Sequence, residues 1–144
     1  MASTTAIPES INDPESVKEI SKLANEYGSE FVNVYYKTLD NKRHELAKYY
    51  ADESKIIWNG NEIESQNRQN FQVELPDSTH SIECFDVHPI FSEFNQTGHY
   101  MILISVSGSV RYKGHGLKLF YQNFMLKAFE SKWKIISDCY RFAE

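Results

Sequence analysis

The 144 residues hold two cysteines, Cys84 and Cys139. That is too few for a disulfide scaffold, and free thiols in a reducing compartment are the expectation. No apolar run approaches the roughly 20 residues that a membrane-spanning helix needs. The opening M-A-S-T-T-A-I-P-E-S shows no basic region followed by an apolar one, so no secretory signal is read from it. Positive charge is in deficit, with 15 Lys and Arg against 20 Asp and Glu, a net −5. The longest basic run is Lys42-Arg43-His44. This balance argues against direct binding to nucleic acid or to an anionic membrane. There is no CxxC, HExxH, P-loop or G-x-S-x-G, and histidines 44, 80, 88, 99 and 115 have no metal-ligand spacing. No cofactor or metal is expected, and a cytosolic or nuclear protein is.

What the chain does have is aromatic bulk, nine Tyr and nine Phe, and clear periodicity. Residues 1–12 are small and polar and are expected to be a loose tail; 13–144 then form one domain. Asp13-Pro14-Glu15 reads as a helix start. Val17, Ile20, Ala24, Tyr27, Phe31, Val34 and Thr38 recur at spacings of three and four, which predicts one long helix ending near Leu39. A short second helix is expected from Lys42 to Tyr50. Lys55–Trp58 is a short strand, Asn59-Gly60 a two-residue hairpin turn, and Glu62-Ile63 the return strand. A third helix runs from Ser65 to Leu75. Four long strands follow, at His80–Pro89, His99–Tyr112, Leu117–Phe129 and Trp133–Phe142. Their connectors are short, so neighbouring strands are antiparallel. The prediction is an α+β domain with three helices packed on one face of a strongly curved antiparallel sheet.

The last strand, W-K-I-I-S-D-C-Y-R-F, is apolar on both faces. Alternation puts Lys134, Ile136, Asp138, Tyr140 and Phe142 on one side, and Trp133, Ile135, Ser137, Cys139 and Arg141 on the other. The helices can cover one face only, so the outer face needs a cover of its own. In I-E-C-F-D-V-H-P, Phe85 and Val87 share one face and Ile82, Cys84, Asp86 and His88 the other. If the Phe/Val face meets the helices, Asp86 points outward. It is then either a solvent-facing strand acid or a charge with a partner on another chain. Arg141 points outward by the same parity. A second candidate site is the pocket between helices and sheet, where Tyr35, Tyr36, Trp58, Asp138 and Tyr140 could do acid–base work. The inward residues are mostly large aromatics that would fill such a pocket, which favours a packed core and no enzyme.

The stretches E-F-V-N-V-Y-Y (30–36), W-N-G-N (58–61), G-S-V (108–110), F-Y-Q-N-F-M-L (120–126) and W-K-I-I-S-D-C-Y-R-F (133–142) resemble the nuclear transport factor 2-related export proteins. These are the small subunits of the TAP-type messenger RNA export receptor, and the resemblance runs from about Val17 to the end. It implies the cone-shaped nuclear transport factor 2-like fold. It also implies a heterodimer in which the larger receptor subunit covers the outer sheet face and carries the RNA and nucleoporin contacts, and a shuttling life between nucleus, pore and cytoplasm. By the same resemblance, Arg141 and Asp86 match family residues that pair with the partner. The expected partner-binding set is Asp86, Ser105, Gln122, Ser137, Cys139 and Arg141. In nuclear transport factor 2 itself, the carrier of the GTPase Ran, the strand after the short helix ends W-E-G. Here it is Trp58-Asn59-Gly60, and the missing acid argues against Ran binding.

Overall fold

The computed structural model describes residues 14–90, 100–129 and 132–143. The expected tail, the Asp13 cap, the S-E-F-N-Q-T-G connector and Glu130-Ser131 lie outside them. Helix α1 (Pro14–Asn41) is followed by a 3₁₀ helix (Arg43–Tyr49), strands β1 (Tyr50–Trp58) and β2 (Asn61–Ile63), and a 3₁₀ turn (Ser65–Asn67) leading into α2 (Arg68–Glu74). Then come β3 (Ser78–Ile90), β4 (Met101–Tyr112), β5 (Leu117–Phe129) and β6 (Lys132–Ala143).

The periodic stripe of α1 is its buried face. Ala24, Tyr27, Phe31, Tyr35 and Leu39 keep the three-to-four spacing, and Val32 and Tyr36 widen it. They pack on Ile104, Phe120, Phe124, Leu126 and Ile135 of the sheet, which are at most 1 % exposed. The Asn59-Gly60 turn has positive φ at both residues, 47° and 83°. That is the backbone a two-residue hairpin requires, and the reason Asn and Gly stand there.

Strand β1 is longer than its apolar run suggested. It begins at Tyr50 because Tyr50, Ala51 and Ser54 are buried before Ile56 is reached. The sheet order is β2-β1-β6-β5-β4-β3. β3 to β6 form the antiparallel meander, but β1 lies parallel to β6, with Ile56 opposite Asp138 and Trp58 opposite Tyr140. The sheet is therefore mixed. A meander leaves the free edge of its last strand open, and β1 reaches that edge through the long connection that contains α2.

Two β-bulges change which residues face the helices. In β6, Met125 pairs with Ser137 and Leu126 with Ile135, so Ile136 is the extra residue. Strict alternation placed Ile135 and Trp133 outward. Instead Ile135 has no exposed surface, and Trp133 lies 5.5 Å from the ring of Tyr27 on α1. Beyond the bulge the expected parity holds, with Asp138 and Tyr140 buried inward and Arg141 exposed. In β3 the register shifts between Ile82 and Cys84, with Glu83 extra. Ile82 thus packs against the core instead of sharing a face with Cys84 and Asp86.

Gly108 sits opposite the β3 bulge, paired with Ile82. A Cβ on it would lie 2.2 Å from the Ser81 carbonyl oxygen, a backbone atom that cannot swing aside. Gly108→Ala should therefore cost about 2–3 kcal/mol of stability, read as a lower denaturant midpoint. An unchanged midpoint would show that the bulge relaxes freely.

Candidate functional site

The outer face of the sheet is built in rows. Asp86, Ser105, Asn123, Cys139 and Ile57 lie side by side across five strands. The next row is Cys84, Ser107, Tyr121 and Arg141. Ser105 Oγ donates to Asn123 Oδ1 at 2.8 Å, and Cys84 Sγ meets Ser107 Oγ at 2.9 Å. The two cysteines are both free. They are separated by β4 and β5, about 14 Å at ordinary strand spacing.

β5 lies inside the sheet, with β6 and β4 on either side, yet Leu117, Leu119 and Tyr121 are 59 %, 54 % and 53 % exposed. Three large apolar side chains in line on an interior strand make a contiguous bare patch, a feature that interaction surfaces share. Asp86 and Arg141 stand at its two sides, both exposed. Among the described residues neither has an ion-pair partner. Arg141 lies against the β1–β2 turn, its Nη2 3.3 Å from where a Cβ on Gly60 would be. Asn59 holds that turn to β6. Its backbone N–H donates to the Tyr140 carbonyl and its Oδ1 accepts from the Phe142 N–H, both at 2.8 Å.

Of the six residues expected on this face, Asp86, Ser105, Ser137, Cys139 and Arg141 are there. Gln122 is not. It follows the opposite parity on β5 and is 2 % exposed beneath the helices. A long polar side chain on an aromatic strand looks solvent-facing until its partners are known. Tyr36 OH donates to Gln122 Oε1 at 2.6 Å, and Gln122 Nε2 donates to Asp138 Oδ1 at 2.7 Å.

Gln122 belongs to an inner network centred on Asp138. Tyr50 OH donates to Asp138 Oδ2 at 2.5 Å, while Tyr35 OH and Gln72 Nε2 reach Tyr50 OH at 2.7 and 2.9 Å. Alongside, His80 Nδ1 contacts Asp40 Oδ1 at 2.7 Å and His80 Nε2 contacts Tyr140 OH at 3.0 Å. The cavity lined by Tyr35, Trp58, Phe71, Gln72, Asp138 and Tyr140 is only about 20 Å³. That is room for one water, far below the few hundred Å³ of a substrate pocket. Trp58 stacks on Tyr140 at 4.5 Å and closes it. Trp58, Tyr35, Tyr36, Asp138 and Tyr140 are thus brought together, as a packed and internally hydrogen-bonded core. Tyr50, Gln72, His80 and Asp40 were missed. Their contacts join segments up to 88 positions apart, and no local pattern announces them.

Comparison with known proteins agrees with this geometry. The Nuclear transport factor 2 (NTF2) domain family matches residues 27–142. NTF2-related export protein 2 of Mus musculus is 38 % identical over 120 residues, covering 80 % of this chain and 84 % of that protein. The chain belongs to the NTF2-related export protein family. Among solved structures, nuclear transport factor 2 of Cryptosporidium parvum superposes with a TM-score of 0.71 at 22 % identity, over 83 % of this chain and 94 % of that one. The Candida albicans Mtr2–Mex67 M domain complex gives 0.64 at 18 % identity, over 80 % and 93 %. At those identities the structures establish the fold, and it is the NTF2-like fold expected above.

Within this family member, the buried carboxylate has a measurable consequence. Burial pushes Asp138 up to about 6, against the opposing hydrogen bonds from Gln122 and Tyr50. The folded state thus holds its proton more tightly than the unfolded chain. The stabilisation from protonated Asp138 is complete below about pH 4 and is lost as pH rises to about 6, roughly 3 kcal/mol in all. Asp40 works the other way. Burial raises it, but the His80 ring and backbone hydrogen bonds outweigh that and hold it below the usual carboxylate range. Subtracting an Asp138→Asn titration isolates the term. Wild-type stability relative to Asp138→Asn should fall between pH 4 and 6. A constant difference would show that Asp138 titrates normally.

Proposed function

We propose that this chain is a non-catalytic subunit that pairs, through the outer face of β3–β6, with the NTF2-like domain of a larger TAP-type export receptor. In that role it supports messenger RNA export through the nuclear pore. The observation that carries this reading is the row Leu117, Leu119 and Tyr121, bare on an interior strand and flanked by the lone charges Asp86 and Arg141. A small domain whose helices are all committed to one face needs its cover from elsewhere.

Family membership supports the same assignment, since the matched relatives are named as export proteins. The Mtr2 structure that shares the fold is paired with a domain of Mex67. On this reading the larger subunit contributes the RNA and nucleoporin contacts. The small subunit stabilises the larger one and works in the nucleus and at the pore. Asn59, whose side chain is bound to the Phe142 backbone, presents no acid to a basic Ran surface.

The test is coexpression with the NTF2-like domain of the TAP-type receptor from the same genome, followed by sizing and titration. A 1:1 complex is expected. Arg141→Asp should weaken it by roughly 2–5 kcal/mol or more, by leaving a partner carboxylate unpaired and adding repulsion. The monomer's melting curve should be unchanged, because the side chain lies outside the core. A reciprocal charge swap on the partner should restore part of the affinity. A stable monomer that ignores the receptor domain at high concentration would overturn the proposal, as would a homodimer that excludes that domain.

A further inference from the structure

The outer face continues past Arg141 towards the β4–β5 hairpin end. Two further rows lie there, Ser109–Leu119–Ala143 and Arg111–Leu117. This end has a charge distribution of its own. The chain carries 20 acids, yet none falls between Tyr100 and Phe129, where Arg111, Lys113, Lys118 and Lys127 stand. Arg111, Lys113, His115, Leu117, Lys118 and Leu119 are all exposed. Among the described residues no carboxylate lies within ion-pair distance of Arg111, Lys113 or Lys118. Lys118 alternates with the two leucines and turns to the inner face, where it lies 5.0 Å above the ring of Phe142. A protein of net charge −5 thus ends the outer side of its sheet in Arg111 and Lys113, without an ion pair among the described residues, beside two bare leucines.

We infer that the partner interface extends onto this hairpin end, and that the larger subunit meets it with a segment alternating acidic and apolar side chains. This rests on the proposed pairing and specifies its chemistry. Two arguments carry it. The rows from His88 to Arg141 cover five strands by three residue pairs, a planar area of roughly 500 Å² at ordinary strand dimensions. The hairpin end is the direct continuation of that face, and covering it as well brings the contact closer to the roughly 800 Å² of accessible surface that a stable complex buries per partner. The second argument is complementarity. A polyanion would neutralise Arg111 and Lys113 but leave Leu117 and Leu119 wet. An acidic and apolar polypeptide satisfies both sets.

The experiment measures binding of purified chain to the receptor's NTF2-like domain, and separately to a single-stranded 20-nucleotide RNA, across a range of salt concentrations. Arg111→Glu/Lys113→Glu and Leu117→Ser/Leu119→Ser change exposed residues only, so both should keep the wild-type melting curve. Each should weaken receptor binding at least tenfold. The charge variant should also slow association and flatten its salt dependence. Wild-type binding that neither variant weakens would overturn this inference; if Arg141→Asp still weakens that complex, the pairing stands through Tyr121 and Arg141. Loss of RNA binding by the charge variant, with receptor affinity unchanged, would reassign the cations to nucleic acid. No complex with the wild-type chain would remove the pairing itself, and this extension with it.

Discussion

A buried carboxylate ties this domain together. Asp138 accepts hydrogen bonds from Gln122 on β5 and Tyr50 on β1. Through those two it engages Tyr36 and Tyr35 on α1 and Gln72 on α2. Both helices and three strands thus meet at one side chain of the last strand. Burying a charge is costly unless every oxygen finds a donor. Here the donors come from residues that are nearly all aromatic or amide and at most 6 % exposed. Among the described residues no buried side-chain polar atom is left without a partner. A half-made network would be worse than an apolar core, so the elements must assemble in one arrangement to complete it.

That requirement decides what the two faces of the sheet can be. The helices are held against the inner face by the Asp138 network and by the aromatic stack of Trp58, Tyr140 and Phe120. Nothing in the described chain returns to cover the other side. The β6 bulge sharpens the division. Without the extra residue at Ile136, either Ile135 and Trp133 or Asp138 and Tyr140 would face away from the helices. The bulge lets both pairs turn inward, leaving Ser137, Cys139 and Arg141 on the outside. The local break in the ladder costs little beside that gain in burial.

The parts of the fold that repeat locally were readable from the sequence. The α1 stripe, the Asn-Gly turn and the antiparallel meander follow from spacing and turn chemistry, and strand parity near Asp86 and Arg141 follows from alternation. What failed was whatever depends on another part of the chain. A bulge is chosen jointly by two strands, so counting by twos along one of them put Ile135 and Ile82 on the wrong face. Gln122 has the composition of an outward residue, and only Tyr36 and Asp138, both distant in sequence, hold it inside. Tyr50 was read as the end of a helix because its role is fixed by a carboxylate 88 positions later. The parallel pairing of β1 with β6 has no local signature at all.

The same network explains why the space around Asp138, between the helices and the sheet, is filled. A pocket needs inward side chains that stop short of each other. Here Tyr35, Tyr50, Trp58 and Tyr140 span the gap, and the three tyrosine hydroxyls end on each other, on Asp138 or on His80. Only about 20 Å³ remains. Opening it to substrate size would strand several buried hydroxyls and the carboxylate, each at a cost of about 1–3 kcal/mol. Filling the interior makes the sheet a rigid plate. On the proposed pairing, a rigid plate would offer Leu117, Leu119, Tyr121 and Arg141 at fixed positions, so less ordering entropy would be lost on docking. On that proposal the chemistry of the inside would serve recognition on the outside. The strand that carries Asp138 on one face carries Arg141 on the other.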